Sequence, residues 1–176
     1  MAEDIVGGPG WVIRATDLRP AITDADAFAK DRQSDPLGGI LTLLWSGDAA
    51  AALHLLEQEP ATHRVRALRA DCRRDLGHFT LALLEYDILV DEAMHTSREA
   101  VIRQHRGKAR LAAGDTNRAL DDFGRAVFLR QDGDPGLLAS AQQALQVAEA
   151  RRVSEAEASN QTQCFKATEA VTVHNE

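Results

Sequence analysis

Glycines stand at fixed distances from small and large apolar residues through the middle of the chain. The pattern is clearest over residues 106–127, RGKARLAAGDTNRALDDFGRAV. Counted from Gly114, Gly107 lies seven residues before, and Ala119, Phe123 and Ala126 lie five, nine and twelve after. Counted from Gly77, the same steps give Ala70, Ala82, Tyr86 and Leu89, with Phe79 at two. Gly47 gives a degraded copy: Ile40, Ala49, Ala52, Leu56 and Glu59. The three origins are 30 and 37 residues apart. This spacing predicts a helix, a tight turn and an antiparallel helix, repeated along the chain. A glycine past the last turn can take the left-handed conformation that stops a helix. Asp48 and Asp115 follow at once, where a carboxylate can cap the next helix. Ala70, Ala82, Gly107 and Ala119 let paired backbones approach, while Tyr86 and Phe123 fill the space toward the following unit. A glycine inside a helix costs about 1 kcal/mol relative to alanine, so Gly107 reads as a contact residue that makes room for its partner helix.

Caps and breakers set the predicted elements. Asp35-Pro36 opens a helix to about Trp45, and a second runs from Asp48 to Glu59. Others span Pro60 to Leu76, His78 to Met94, the Thr96/Glu99 capping box to Ala113, and 115–130. Asp134-Pro135 starts a last helix, GLLASAQQALQVAEARR, placed to cover the open end of a stack. Residues 1–35, with VGGPGWVIR, read as an irregular segment anchored by Trp11, with a short helix at TDADAFAKDR. Residues 36–158 form the helical domain, and the polar residues 159–176 read as a loose tail.

The ladder of small residue, glycine, aromatic, alanine and aromatic at a period near 34 resembles a tetratricopeptide repeat over residues 36–130. The match is strongest in the third unit and weakest in the first. The resemblance implies an all-α superhelix of about three antiparallel helix pairs plus a capping helix, about seven helices in total. It also implies that first helices line a concave face and second helices a convex one. The chaperone-tail receptors of the family need Lys and Asn on the first inner helix. Leu37 and Leu41 stand there, and Val101 and His105 replace the later Lys and Arg, which argues against that subclass.

Charge adds a direction to this picture. Residues 63–76 hold five basic and two acidic side chains, and residues 97–113 hold five and one, in a chain of net charge −7. Helix 78–94 carries Glu85, Asp87, Asp91 and Glu92 and no Lys or Arg. By the resemblance the inner surface is basic, suited to an acidic peptide or a free carboxylate. The groove-facing candidates are Arg64, Ala67, Asp71, Arg74, Val101, Gln104 and Lys108. The competing reading has these arginines pairing with carboxylates on neighbouring helices, at about 0–1 kcal/mol for an exposed pair.

Little else bears chemistry. The six histidines form no HExxH, Cys72 and Cys164 form no CxxC, and GGPG lacks the context of a phosphate loop. No metal, cofactor or catalytic role is expected. The acidic pI of about 5.4 argues against nucleic acid. No apolar run reaches a membrane span, and the N-terminus lacks the regions of a signal peptide, so a cytoplasmic protein is expected. The reading is a non-catalytic module that binds a protein or peptide segment, an acidic one by the charge argument, in a concave groove. The alternative is a self-associating, homodimeric or chaperone-like factor whose interface is the apolar first unit: Leu37, Ile40, Leu41, Leu44 and Trp45. Bacterial secretion chaperones with such repeats share this length and acidity.

Overall fold

Each of the three repeat glycines ends a helix in the left-handed region, with φ of 98° at Gly47, 80° at Gly77 and 84° at Gly114. They mark the turns in a computed structural model that describes the backbone of residues 3–172 and the side chains of residues 3–161. Three helix pairs result: α2 (Gly38–Trp45) with α3 (Ala49–Leu56), α4 (His63–Asp75) with α5 (Phe79–Ala93), and α6 (Glu99–Ala112) with α7 (Thr116–Arg130). A short helix α1 (Ala25–Asp31) precedes them and α8 (Pro135–Thr172) follows. The architecture is the all-α stack of antiparallel pairs that the sequence implies, with eight helices among the described residues. Asp48 and Asp115 cap as expected, accepting from the amides of Ala51 and Arg118.

The small residues pack as the ladder requires. A Cβ placed on Gly107 would lie 2.6 Å from Cε1 of Phe123, so the missing side chain admits that ring. Ala70, Ala82, Tyr86, Ala119 and Phe123 have no exposed surface.

Several boundaries differ from expectation for local reasons. Helix α2 begins two residues after Pro36, because Asp35 accepts the Leu37 amide (3.0 Å) and closes a turn first. Helix α4 begins at His63 rather than Pro60, capped by the Thr62 hydroxyl, which accepts from Val65 N (3.2 Å). The Thr96/Glu99 box is shifted: Glu99 accepts from the His95 amide (2.9 Å) and the Thr96 hydroxyl donates to Ala93 O (2.6 Å).

Both ends depart from the sequence reading. The segment expected to be irregular contains an antiparallel sheet, β1 (Ile5–Gly8), β2 (Trp11–Ile13) and β3 (Pro20–Ile22), in the order β1-β2-β3. Gly10, at φ 75°, turns β1 into β2. A Cβ on Gly7 would fall 2.3 Å from the Trp11 ring, so glycine lets the indole lie over the hairpin. Strands of three or four residues are too short for period-2 alternation to register. At the other end, α8 runs on to Thr172, past the expected end of the helical domain at 158. No glycine or proline follows Gly136, so nothing in the backbone stops the helix. Cys164 and His174 lie outside the residues whose side chains are described.

The sheet crosses the inner side of the stack, with β3 against α2 and β1 against α8. Trp11 stacks on Trp45 with ring centroids 4.5 Å apart, and Phe28 of α1 lies 5.3 Å from the same indole. Leu18, in the β2–β3 loop, is 1% exposed and packs with Leu111 of α6 and with Ala144 and Ala148 of α8. The side-chain amide of Gln143 donates to the carbonyls of Glu3 and Ile13 at 2.7 and 3.3 Å, fastening the segment to α8.

Candidate functional site

The N-terminal segment fills part of the inner face, and what stays open lies between α2, α4 and α6. This groove encloses about 320 Å³. Its floor is apolar, built from Leu41 of α2, Ala67 and Leu68 of α4, and Val101 and Ile102 of α6, with Trp45 at one end. Around it stand Arg32, His63, Arg64, Arg98 and His105. The Thr62 cap sets the first turn of α4, which puts His63 and Arg64 at the groove mouth. Arg64 grips Asp35 with both terminal nitrogens, at 2.8 and 2.5 Å, and this pair holds the Asp35 carboxyl below the usual range. Arg98 stands at the first position before α6 and is exposed; its guanidinium makes no hydrogen bond or ion pair among the described residues.

Asp71 closes the back of the groove. One oxygen accepts from the Tyr86 hydroxyl (2.7 Å) and pairs with Arg74 (2.8 Å), and the other meets His105 Nδ1 at 2.9 Å. Burial opposes its ionisation, but His105, Arg74 and Tyr86 outweigh that and hold its carboxyl well below the usual range. This hub ties α4, α5 and α6 together, so the groove walls are fixed by a saturated carboxylate.

The seven candidates fall into two groups. Arg64, Ala67, Asp71 and Val101 line the open groove. Arg74, Gln104 and Lys108 do not, and each is buried. Arg74 is paired with Asp71 and Asp75 at 2.8 Å each. Gln104 donates to the Ser140 hydroxyl (2.9 Å) and accepts from Arg130 in the seam of α6, α7 and α8. Lys108 lies behind Asp71, under the N-terminal loop. Family spacing places these three on the first helices' inner side, but here the N-terminal segment covers Arg74 and Lys108, and α7 and α8 cover Gln104. Helical spacing does mark Arg98 and His63: each stands three or four residues from a floor position on its own helix. It does not mark Arg32.

The competing reading of the arginines holds for four of them. Arg66 pairs with Glu85 and Glu92, at 2.6 and 2.8 Å. Arg103, Arg106 and Arg110 converge on Asp122 at 3.4, 2.7 and 2.9 Å. Asp122 is 1% exposed, so this cluster joins α6 to α7 rather than merely solvating the stack.

The apolar first unit is not an open face. Leu37, Ile40, Leu41 and Leu44 are buried, and Trp45 is half-buried among Trp11 and Phe28. The surface expected to mediate self-association is therefore covered from within the chain. Cys72 has no exposure, and burial together with Asp71 and Asp75 pushes its thiol up to about 12, which suits a packing residue. No helix among the described residues is long and apolar enough to cross a membrane.

No protein-family model and no curated protein matches the sequence. Among solved structures, the crystal structure of PcrH from Pseudomonas aeruginosa is similar, with a TM-score of 0.51 at 20% identity, over 74% of this chain and 95% of that one. PcrH has a helical-repeat fold of the tetratricopeptide kind, and the likeness extends the sequence resemblance to the three-dimensional arrangement of the helix pairs.

Proposed function

We propose that the chain is a protein-binding module that holds a short acidic segment of a partner in the groove between α2, α4 and α6. The observation that carries this reading is an apolar floor ringed by cations, one of which, Arg98, has no partner among the described residues. Apolar side chains of a bound segment would sit on Ala67 and Val101, with Leu41 and Ile102 beneath them. Carboxylates would meet Arg98, whose planar fork is free for two-point contact, while Arg64, already held by Asp35, adds positive charge at the groove mouth. The groove is preformed, because the Asp71 hub and the Trp11–Trp45 stack hold its walls, so the partner bears most of the ordering cost. Arg64, Ala67, Asp71 and Val101 remain the proposed binding positions, joined by Arg98 and His63. The fold shared with PcrH is compatible with this role but names no partner.

The test is a fluorescence-anisotropy titration with labelled peptides in which Glu alternates with Leu. Replacing Arg64 and Arg98 together with alanine is expected to weaken binding about tenfold at low salt and to flatten its salt dependence. Neither side chain is buried, so the variant should fold. Affinity that stays unchanged, with the same salt dependence, would overturn the proposal.

A further inference from the structure

Behind Asp71, under the β2–β3 loop, cationic side chains outnumber carboxylates. Lys108 is 7% exposed and makes no hydrogen bond or ion pair with any described residue. Its wall-mate Arg74 is satisfied by Asp71 and Asp75. Both carboxylates partly offset the charge on the amine from a distance, but neither bonds to it, and each is already shared with another cation. Asp71 also serves Tyr86 and His105, and Asp75 also serves Arg19 at 3.2 Å. Arg130, a further buried cation close enough to repel Lys108, is bonded to Gln104 and to the Leu137 carbonyl and to no carboxylate. An isolated buried ammonium is costly, and proteins normally pair or neutralise it.

The amine is not sealed in. It lines two adjoining cavities, of about 220 and 210 Å³, which share Arg19, Arg74 and Lys108. The second is walled by these three cations and Arg151, with Thr16 beside them. Its one carboxylate, Asp17, is held by Arg14 in a two-point contact at 3.0 and 2.5 Å. Arg151 donates to the Leu111 carbonyl (2.8 Å) with one terminal nitrogen, which leaves its other donors free among the described residues. Ammonium and guanidinium groups thus line one small space whose single carboxylate is already paired.

We infer that this cavity is a binding site for a small oxyanion, of the phosphate or carboxylate class, held by Lys108 and Arg151 with Arg19 and Thr16. The anion would supply the missing negative charge and bridge the N-terminal loop to α6 and α8. It would act apart from the α2–α4–α6 groove, which Lys108 does not line, so the site stands or falls independently of the proposed peptide binding.

Isothermal titration calorimetry of the full chain with inorganic phosphate and with citrate, at constant ionic strength set by chloride, tests it. One anion per chain is expected, and the tighter of the two ligands identifies the chemistry. Lys108→Met is expected to weaken that binding at least tenfold. Arg151→Gln, at the exposed end of the wall, should weaken it several-fold and checks the site from its other side. Phosphate also stabilises proteins generally by exclusion from their surface, so a thermal shift counts only as the difference between wild type and variant. That difference is expected to be about 2 °C or more at saturating phosphate. Absence of binding by both anions, or equal binding by wild type and the substituted chains, would overturn the inference.

Discussion

At the scale of single residues, Gly107 and Gly124 separate two meanings of a helical glycine. A Cβ on Gly107 would strike the Phe123 ring at 2.6 Å, whereas one on Gly124 meets nothing within 4 Å. Gly107→Ala is therefore expected to destabilise by about 1–3 kcal/mol through overpacking. Gly124→Ala should stabilise by about 0.5–1 kcal/mol through helix propensity. Urea denaturation of the two variants checks both signs. Lys108 makes a second residue-scale case. Burial and the nearby Arg74 and Arg130 pull its amine down to about 8 from 10.5, with Asp71 opposing. Below pH 8 the folded chain carries a charge that burial disfavours, and the cost is present in full. Between pH 8 and 10.5 the unfolded chain holds a proton that the folded one has released, so this group makes stability rise with pH. Lys108→Met is thus expected to be more stable than wild type by about 3 kcal/mol near pH 7 in anion-free buffer. The gain should shrink toward zero as pH approaches 10.5, read from denaturation midpoints at the two pH values. A gain that does not change with pH would contradict this account of the lysine.

At the scale of elements, the helices and the strands were unequally legible in the sequence. Gly47, Gly77 and Gly114 announce three turns because each needs a positive φ that other residues take at a cost, and the small residues at fixed offsets announce the pairing. The sheet had no comparable signal. Strands of three and four residues pair with each other rather than with a large sheet, and their burial against α8 depends on contacts more than 100 residues away, such as Gln143 with Ile13. Leu18 shows how much rests on those contacts: a β-loop leucine at φ 59° is strained, yet it is 1% exposed between α6 and α8. Leu18→Ala is expected to cost about 2–4 kcal/mol in urea denaturation. It should also speed amide exchange across residues 5–22 more than in α4 or α5. Uniform loss of protection over the whole chain would show that the segment is not a separate element locked by this side chain.

At the scale of the whole molecule, the inner face of the stack is divided. Part of it is taken by the chain's own β-strands and loop, which reach from α2 to α8, and the groove between α2, α4 and α6 stays open. The sequence conveyed the basic character of the first helices but not this division. Arg64 and Val101 therefore face the groove, while Arg74, Gln104 and Lys108, on the same helices, are buried. Helical spacing reports which side of a rod a residue occupies, not what lies against that side. Likewise Leu37, Ile40 and Leu44 read as an uncovered apolar face until Trp11, Ile22 and Phe28 are placed against it. The most direct test is hydrogen exchange followed by mass spectrometry, on the free chain and on the chain saturated with a Glu/Leu peptide. Residues 5–22 are expected to be protected in the free chain, and the peptide should add protection at 63–71 and 98–105. Rapid exchange throughout 5–22 in the free chain, or added protection on α5 and α7 instead, would contradict the account.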